Sequence, residues 1–198
     1  EKIKTAVNEE INKAVPYDLE LQMKTSKGIE KWVRTIGVPV IEEGIVVRLR
    51  GSMQDITTQK IAEEKSQWLA QYDVLTELPN RRLLNDRIQY AISISHRSKE
   101  PIAMLYLDLD HFKNINDSLG HSIGDDLLIE VSNRMKLIVR EEDTLSRQGG
   151  DEFIIVLPNT DSDGAAHVAQ KIIDVISQPY HIKQHELSVT PSIGIALY

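Results

Sequence analysis

Apolar and polar positions first fall into register at Tyr17. Tyr17, Leu19, Leu21 and Met23 alternate with Asp18, Glu20, Gln22 and Lys24, the period of two of a strand with one buried face. Ser26-Lys27-Gly28 and Glu42-Glu43-Gly44 read as turns, and Trp32 to Val40 and Ile45 to Met53 are rich in β-branched residues. The pattern predicts a three-stranded antiparallel meander. Three strands make a thin sheet, so the expectation is that part of a domain lies upstream. Residues Glu1 to Ala14 are polar and compatible with a helix.

The period changes at Asp55-Ile56-Thr57-Thr58, where Asp and Thr can cap a helix. The helix runs to about Tyr72, with Ile61, Trp68 and Leu75 seven residues apart. Such a stripe suits either a two-stranded coiled coil or a linker helix packed on its own domain, and both stay open. Thr76 to Asn80 is a Pro-containing turn ending in an N-cap candidate. Beyond it the pattern predicts helices over Arg81 to His96, Asp125 to Val139 and Asp163 to Ile176. An apolar strand is predicted over Ile102 to Leu107. A hairpin of Asp143 to Arg147 and Phe153 to Leu157 flanks Gly149-Gly150, and strands follow near Leu187 to Thr190 and Ile193 to Leu197. The fold class is α/β (α+β), with helices packed on one mainly antiparallel sheet.

Composition narrows the chemistry. The chain has 198 residues, 30 acidic and 23 basic, for a formal net charge of −7. Such a chain does not gather nucleic acid or anionic lipid through its overall field, so a phosphate ligand must be held locally or through metal. With no cysteine, disulfides, zinc-thiolate sites and thiol catalysis are excluded. No apolar run approaches the roughly 20 residues that span a bilayer, and no signal peptide opens the chain. The expected location is cytoplasmic, any membrane anchor lying outside these residues.

Two segments stand where strands end. One is Leu107-Asp108-Leu109-Asp110-His111-Phe112-Lys113-Asn114-Ile115-Asn116-Asp117, continuing through Gly120-His121 to Gly124-Asp125; the other is Gly149-Gly150-Asp151-Glu152-Phe153. Asp-x-Asp at a strand end puts two carboxylates on one face, and the hairpin turn adds Asp151 and Glu152. Carboxylates brought together repel unless a cation neutralises them, and oxygen ligands suit magnesium. Lys113 is close enough in sequence to meet a phosphate. Each piece alone has an ordinary use: Asp-x-Asp as a solvated turn, Gly-Gly as turn chemistry, Asn116, His121 and Asp125 as loop braces. Their joint occurrence points to a site.

Gly149 to Phe153 spells the GGDEF signature, and the likeness extends further. Asp73-Val74-Leu75-Thr76-Glu77-Leu78-Pro79-Asn80-Arg81, the Asp108 to Asp125 stretch and Ser192-Ile193-Gly194-Ile195-Ala196 all resemble segments of the GGDEF diguanylate cyclase family. Tyr17 to Asp55 resembles the C-terminal half of a PAS sensor domain, and the helix after it a signalling helix. The resemblance divides the chain into residues 1–56 (the C-terminal part of a PAS domain), 57–72 (the signalling helix) and 73–198 (a GGDEF domain).

What the resemblance implies is specific. The fold is that of the polymerase and adenylyl-cyclase palm. Asp108, the carbonyl of Leu109 and Asp151 hold magnesium, two ions per GTP, with manganese as a substitute. Asp151 and Glu152 are the catalytic carboxylates, and Asp151 is the candidate base for the ribose 3′-OH. Phe112 (through its backbone) and Lys113 meet the phosphates, Asn116 and Asp125 read guanine, and His121 supports the nucleotide. Arg140 and Asp143, placed as Arg-x-x-Asp six positions before Gly149, match the family's product-inhibition site for cyclic di-GMP; an exposed helix end is the plainer reading. Two domains must meet, which favours a homodimer through the linker helix; no nucleic acid is expected as partner. Family members continue past the Ser-Ile-Gly strand into a helix with phosphate-contacting basic residues and a last strand, so these residues alone are expected to lack part of the phosphate site. The implied activity is condensation of two GTP into cyclic di-GMP under PAS control. A GTP-binding domain regulating a downstream phosphodiesterase is the alternative. A dimerisation module with a dead output is a third reading, opposed by the intact Asp108, Lys113, Asn116, Asp125, Asp151 and Glu152.

Overall fold

The computed structural model describes residues 15–198, so the polar stretch Glu1 to Ala14 lies outside the described residues. The chain forms two compact units, one reaching Gln67 and one running from Trp68 to Tyr198.

In the first unit, β1 (Tyr17–Lys24), β2 (Glu30–Glu42) and β3 (Ile45–Asp55) pair antiparallel in that order. This is the meander that the alternation predicts, with strands extended by up to two residues at either end. Its core is thin. Val33, Thr35 and Ile56 are buried, while Val38, Ile41, Ile45, Val47 and Met53 stay exposed. Helix α1 (Thr57–Leu69) starts where the sequence places it. The Asp55 carboxylate accepts from the Thr57 amide at 3.0 Å and hydroxyl at 2.6 Å. Lys60 reaches Glu20 at 2.6 Å while lying over the Trp32 ring. The helix stops three residues short of Tyr72, none of its residues is buried, and Ile61 is 58% exposed. Leu75 falls in the turn beyond and packs on the core of the second unit, so the sevenfold stripe ends at Trp68. Trp68 instead stacks on Tyr72 at 5.5 Å.

The second unit is built on a sheet of β5 (Thr144–Gly149), β6 (Glu152–Pro158), β4 (Ile102–Leu109) and β9 (Pro191–Leu197), in that spatial order and antiparallel throughout. Strand β4 is central, apolar along the whole of one face and apolar on the other over Ile102 and Met104, where it is covered on both sides. Ala103, Leu105, Leu107 and Leu109 join Phe153, Ile155 and Leu157 in the main core, under helices α4 (His121–Lys136) and α5 (Ser162–Ile176). Leu127, Val131 and Met135 of α4 and Ala165, Ile172 and Ile176 of α5 are fully buried there, each large side chain contributing about 1.5–3 kcal/mol. On the opposite face, Leu84 and Ala91 of α2 (Arg81–Ser98) cover Ile102 and Val156. Asn80 caps α2 as the sequence predicts, accepting from the Arg82 and Leu83 amides. Asp161 caps α5.

Two features depart from the pattern. Phe112–Leu119 forms a separate helix, α3, and α4 begins at His121 rather than Asp125. Gly120, at φ 89°, divides them. Eight residues give too few turns for periodicity to stand out from a loop. Further on, β7 (Tyr180–Ile182) and β8 (His185–Leu187) make a small hairpin, where the sequence indicates one strand from Leu187 to Thr190. Strands of three residues carry no readable alternation.

The lead-in turn 73–80 is stitched to β5. The Ser146 hydroxyl and Arg147 amide both donate to the Pro79 carbonyl. The Arg147 guanidinium, 9% exposed, donates to Asp73 at 2.8 Å and, through Nε and Nη2, to the Gly150 carbonyl at 3.0 and 2.8 Å. Burial alone would raise the Asp73 pKa, but the Thr76 hydroxyl, Arg147 and the Thr76 amide outweigh it and hold the carboxyl below its usual range. A carboxyl depressed on folding stabilises above its unfolded value, and that contribution is lost as pH falls through the lower folded value. Arg147→Met is therefore expected to cost about 3 kcal/mol at pH 7, because it leaves a part-buried carboxylate and a carbonyl unpaired. The deficit should shrink below about pH 4 as Asp73 protonates. Urea unfolding at pH 7 and pH 3 measures both, and an undiminished deficit at pH 3 would assign the loss to the Gly150 contact instead.

Candidate functional site

Side chains alternate along β4, so Ile102, Met104, Tyr106 and Asp108 share the face that α2 covers at one end. Coverage stops before Tyr106, and Asp108 stands at the open end. Leu107 pairs with Phe153 on one side and Asp108 with Ser192 on the other, so Glu152 at the start of β6 adjoins Asp108. The turn between β5 and β6 holds Gly149 at φ 137° and Gly150 at φ 55°. A side chain would meet nothing at either position, so it is the backbone conformation that calls for glycine. That turn delivers Asp151 beside Glu152, and Arg147 fixes it through the Gly150 carbonyl.

The electrostatics show that these groups are neighbours. Burial, then the charges of Asp151, Glu152 and Asp110, push the Asp108 carboxyl above its usual range. Asp110 behaves oppositely. It accepts from Thr190 at 2.6 Å and Ser192 at 2.7 Å, and these bonds hold it below the usual range. Of the four carboxylates that the sequence groups together, Asp110 thus braces the end of β4 against β9. Among the described residues no three acidic or imidazole side chains close on a single point. A cation seated here would draw further oxygens from the backbone, as at Leu109, and from a ligand. The crowded, like-charged Asp108 fits such an ion.

After Asp110 the chain turns through His111, a non-glycine residue at φ 60°, into α3. Phe112 is buried and Lys113 exposed at its first turn. Gly124 then decides how closely α3 and α4 approach. A Cβ there would collide with the Asn116 side-chain oxygen and press the Phe112 ring. Only glycine lets Asn116 sit against α4, one residue from Asp125. His121 begins α4 and is exposed, as is Asp125. Arg140 and Asp143 meet in the turn before β5, where the Arg140 amide donates to the Asp143 carboxylate at 2.7 Å. Helix α4 has ended at Lys136, so they do not form a helix end. They line a cavity of about 350 Å³ with Asn159, Asp161, His167 and Lys171. Burial first, and Glu142 further, push the Asp143 carboxyl up despite its bond to Arg140. This cavity lies at the far end of β5 from Gly149, about 20 Å away at the rise of a strand.

A family model described as "Diguanylate cyclase, GGDEF domain" matches residues 70–198. The chain belongs to the GGDEF domain family. Among curated relatives, the bifunctional diguanylate cyclase/cyclic di-GMP phosphodiesterase MucR of Pseudomonas aeruginosa is 42% identical over 84% of this chain and 25% of its own length. The cyclic di-GMP phosphodiesterase PdeR of Escherichia coli is 35% identical over 91% of this chain and 27% of its own. The chain spans about a quarter of the length of these relatives. Among solved structures, the GGDEF domain of Pseudomonas aeruginosa TpbB superimposes with a TM-score of 0.62 at 38% identity, covering 64% of this chain and 75% of that one. The coiled coil and GGDEF domain of Caulobacter crescentus DgcB, in complex with c-di-GMP, gives 0.65 at 25% identity, covering 72% and 77%.

This GGDEF domain thus brings Asp108, Asp151 and Glu152 to one strand edge, sets Asn116 beside Asp125 across Gly124, and places Arg140 with Asp143 elsewhere. Sequence reasoning passes over Arg147, whose partners lie 74 positions away at Asp73 and within the signature turn. The hint was an arginine two residues from a glycine pair, on a strand that must be buried. Asp108 carries the electrostatic cost. A carboxyl raised on folding destabilises above its folded value, and that penalty fades as pH falls. Asp108→Asn should therefore raise the melting temperature at pH 7, with the gain shrinking toward about pH 4. Calorimetry at the two pH values measures it, and an unchanged or lower melting temperature at pH 7 would contradict the repulsion.

Proposed function

We propose that the chain is the catalytic part of a diguanylate cyclase, condensing two GTP molecules into cyclic di-GMP and two pyrophosphates. The observation that carries this reading is the meeting of Asp108 at the open end of β4 with Glu152 at the facing start of β6 and Asp151 in the glycine turn, while Asn116 is packed against Gly124 next to Asp125. Asp108, the Leu109 carbonyl and Asp151 would hold magnesium, two ions per GTP, with manganese as a substitute. Bound there, the metal supplies neutralisation of phosphate charge in the in-line displacement and on the leaving pyrophosphate. The phosphates sit at the Phe112 amide and Lys113. The Asp125 carboxylate accepts from guanine N1–H and the 2-amino group, which adenine cannot match, Asn116 completes the base contacts, and His121 supports the nucleotide. Asp151, with Glu152 beside it, takes up the 3′-OH proton as each 3′-oxygen attacks the α-phosphorus of the other GTP and pyrophosphate leaves.

Each domain holds one GTP, so two must meet. Exposed Ile61 on α1, a helix with no buried residue, supports dimerisation through that helix. The meander of the first unit, ending in Asp55-Ile56-Thr57, is read as the C-terminal half of a PAS sensor. A second reading, in which this domain binds GTP to regulate a phosphodiesterase elsewhere in a longer chain, is favoured by the names of MucR and PdeR and by the quarter-length match.

The test is to incubate the full-length protein with Mg²⁺ and GTP and follow cyclic di-GMP and pyrophosphate. Turnover is expected, and Asp151→Ala should cut it about a thousandfold by removing several kcal/mol of transition-state stabilisation. GTP binding without product would favour the regulatory reading. Arg140 and Asp143 are proposed as a product-inhibition site, since the arginine can meet the phosphate or the guanine N7 and O6 edge, and the aspartate N1–H and the 2-amino group. Added cyclic di-GMP is expected to inhibit non-competitively, and Arg140→Ala to relieve inhibition about tenfold or more. Equal inhibition of both forms would dismiss the site.

A further inference from the structure

Helix α4 starts without a side-chain cap. Its N-cap is Gly120, and the Gly124 amide reaches the Gly120 carbonyl only at 3.4 Å, a loose first turn. That end carries His121 and, one turn on, Asp125, both exposed. An uncapped helix end frays unless something outside the helix holds it. Here the holder lies at the tip of the β7–β8 hairpin. Lys183 Nζ donates to the Ser122 hydroxyl at 3.0 Å and meets the Asp126 carboxylate at 2.9 Å. Ser122 and Asp126 directly follow His121 and Asp125, so one ammonium spans the turn that carries both.

The root of the hairpin is fixed separately. Tyr180 is fully buried, and the Arg134 guanidinium lies 3.6 Å from its ring centre. Arg134, near the far end of α4, also donates to the carbonyls of Val175, Gln178 and Pro179. The hairpin is therefore tied to α4 at both ends of the helix. Local geometry does not ask for a lysine at its tip. Ile182 pairs with His185, which leaves Lys183 and Gln184 as the turn. Lys183 sits at φ 54°, a conformation that glycine or asparagine adopts at less cost. A cation beside a helix N-terminus is also opposed by the helix dipole. What accounts for the lysine is the pair of contacts it makes.

We propose that Lys183 is a positioning residue for guanine recognition, holding the start of α4 so that Asp125 keeps its place beside Asn116. The inference rests on the reading above, in which that pair meets the base. Asn116 is packed against Gly124, so the placing of Asp125 relative to it depends on how this turn is held. The ammonium also occupies Asp126, which leaves Asp125 as the one of two adjacent carboxylates open to the base. Lys183 and Asp126 are 55% and 39% exposed, and a pair so exposed adds little to global stability. Its effect is local to the turn.

The test uses the full-length protein. Without nucleotide, Lys183→Met should speed hydrogen exchange of the amides from Gly124 to Leu128 severalfold, with the melting temperature near wild type. Calorimetric titration should show GTP binding weaker by about two- to fivefold, the scale of an exposed ion pair. In turnover, KM for GTP should rise by the same factor with kcat unchanged. Lys183→Arg, which keeps the charge and the reach, should restore both properties. A Ser122→Ala, Asp126→Asn background removes both partners, and there Lys183→Met should weaken GTP binding no further. A full additional loss would mean that the ammonium acts on the nucleotide directly, and the proposal falls. It falls equally if Lys183→Met leaves exchange or GTP affinity unchanged, or lowers kcat at constant KM. Wild-type protein that binds GTP but makes no cyclic di-GMP defeats the cyclase reading alone, since exchange and titration still decide the role of Lys183. Absence of GTP binding defeats both.

Discussion

One guanidinium fixes the geometry of the second unit. Arg147 is nearly buried and has two commitments, the Asp73 carboxylate in the lead-in turn and the Gly150 carbonyl in the signature turn. A buried charge is costly unless paired and hydrogen-bonded. Here three donors of the planar fork are used, and the carboxylate they meet is itself held by the Thr76 amide and hydroxyl. Lysine could not replace it, because a single ammonium cannot meet a carboxylate on one side and a carbonyl on the other. The signature turn is otherwise a glycine pair at positive φ with no side chains to anchor it. Its place, and hence that of Asp151 and Glu152, follows from residues that come 74 positions earlier in the chain.

What is fixed in this way is a set of groups that repel. The fold reduces the repulsion at one point by turning Asp110 onto Thr190 and Ser192, where two hydroxyls satisfy it. It leaves it in place at Asp108. A site whose residues are held where they destabilise the folded chain is the usual mark of a function needing that charge. Asp143 is pushed up as well, by burial first, but there an amide satisfies one carboxylate oxygen and the neighbouring charge of Glu142 pairs with the exposed Arg140 side chain.

Strands and helices with long regular patterns were legible in the sequence: the meander, the central apolar strand, the Asn80 cap and the helices on either face of the sheet. The resemblance of Gly149 to Phe153 and Asp108 to Asp125 led to the family that the comparisons show. The illegible parts have a common physical cause, which is that they depend on partners distant in sequence. Helix α3 is too short to display a period. Asp110 reads as one of a carboxylate pair until Thr190 and Ser192, 80 and 82 positions on, claim it. Gly124 looks like a loop glycine, and only the packing of Asn116 against it shows that its missing Cβ sets the distance between two helices. Leu75 continues the sevenfold count of the linker helix, yet it belongs to another core because the helix has ended six residues earlier.

The sheet itself accounts for why the chemistry sits where it does. Each face of β4 needs cover, and α4 with α5 covers one face along its length, whereas α2 covers the other only over Ile102 and Met104. The uncovered remainder carries Tyr106, Asp108, Glu152 and the bare backbone of Gly194. The proposed condensation, joining two nucleotides held by two domains, would call for such a face: charged, rigid at the backbone, and open to a second molecule. Had α2 extended its cover by one more turn, the carboxylates would be buried without partners at a cost of several kcal/mol each. Exposure at this end of β4 is what allows the like charges to coexist, because water screens the repulsion that burial would magnify.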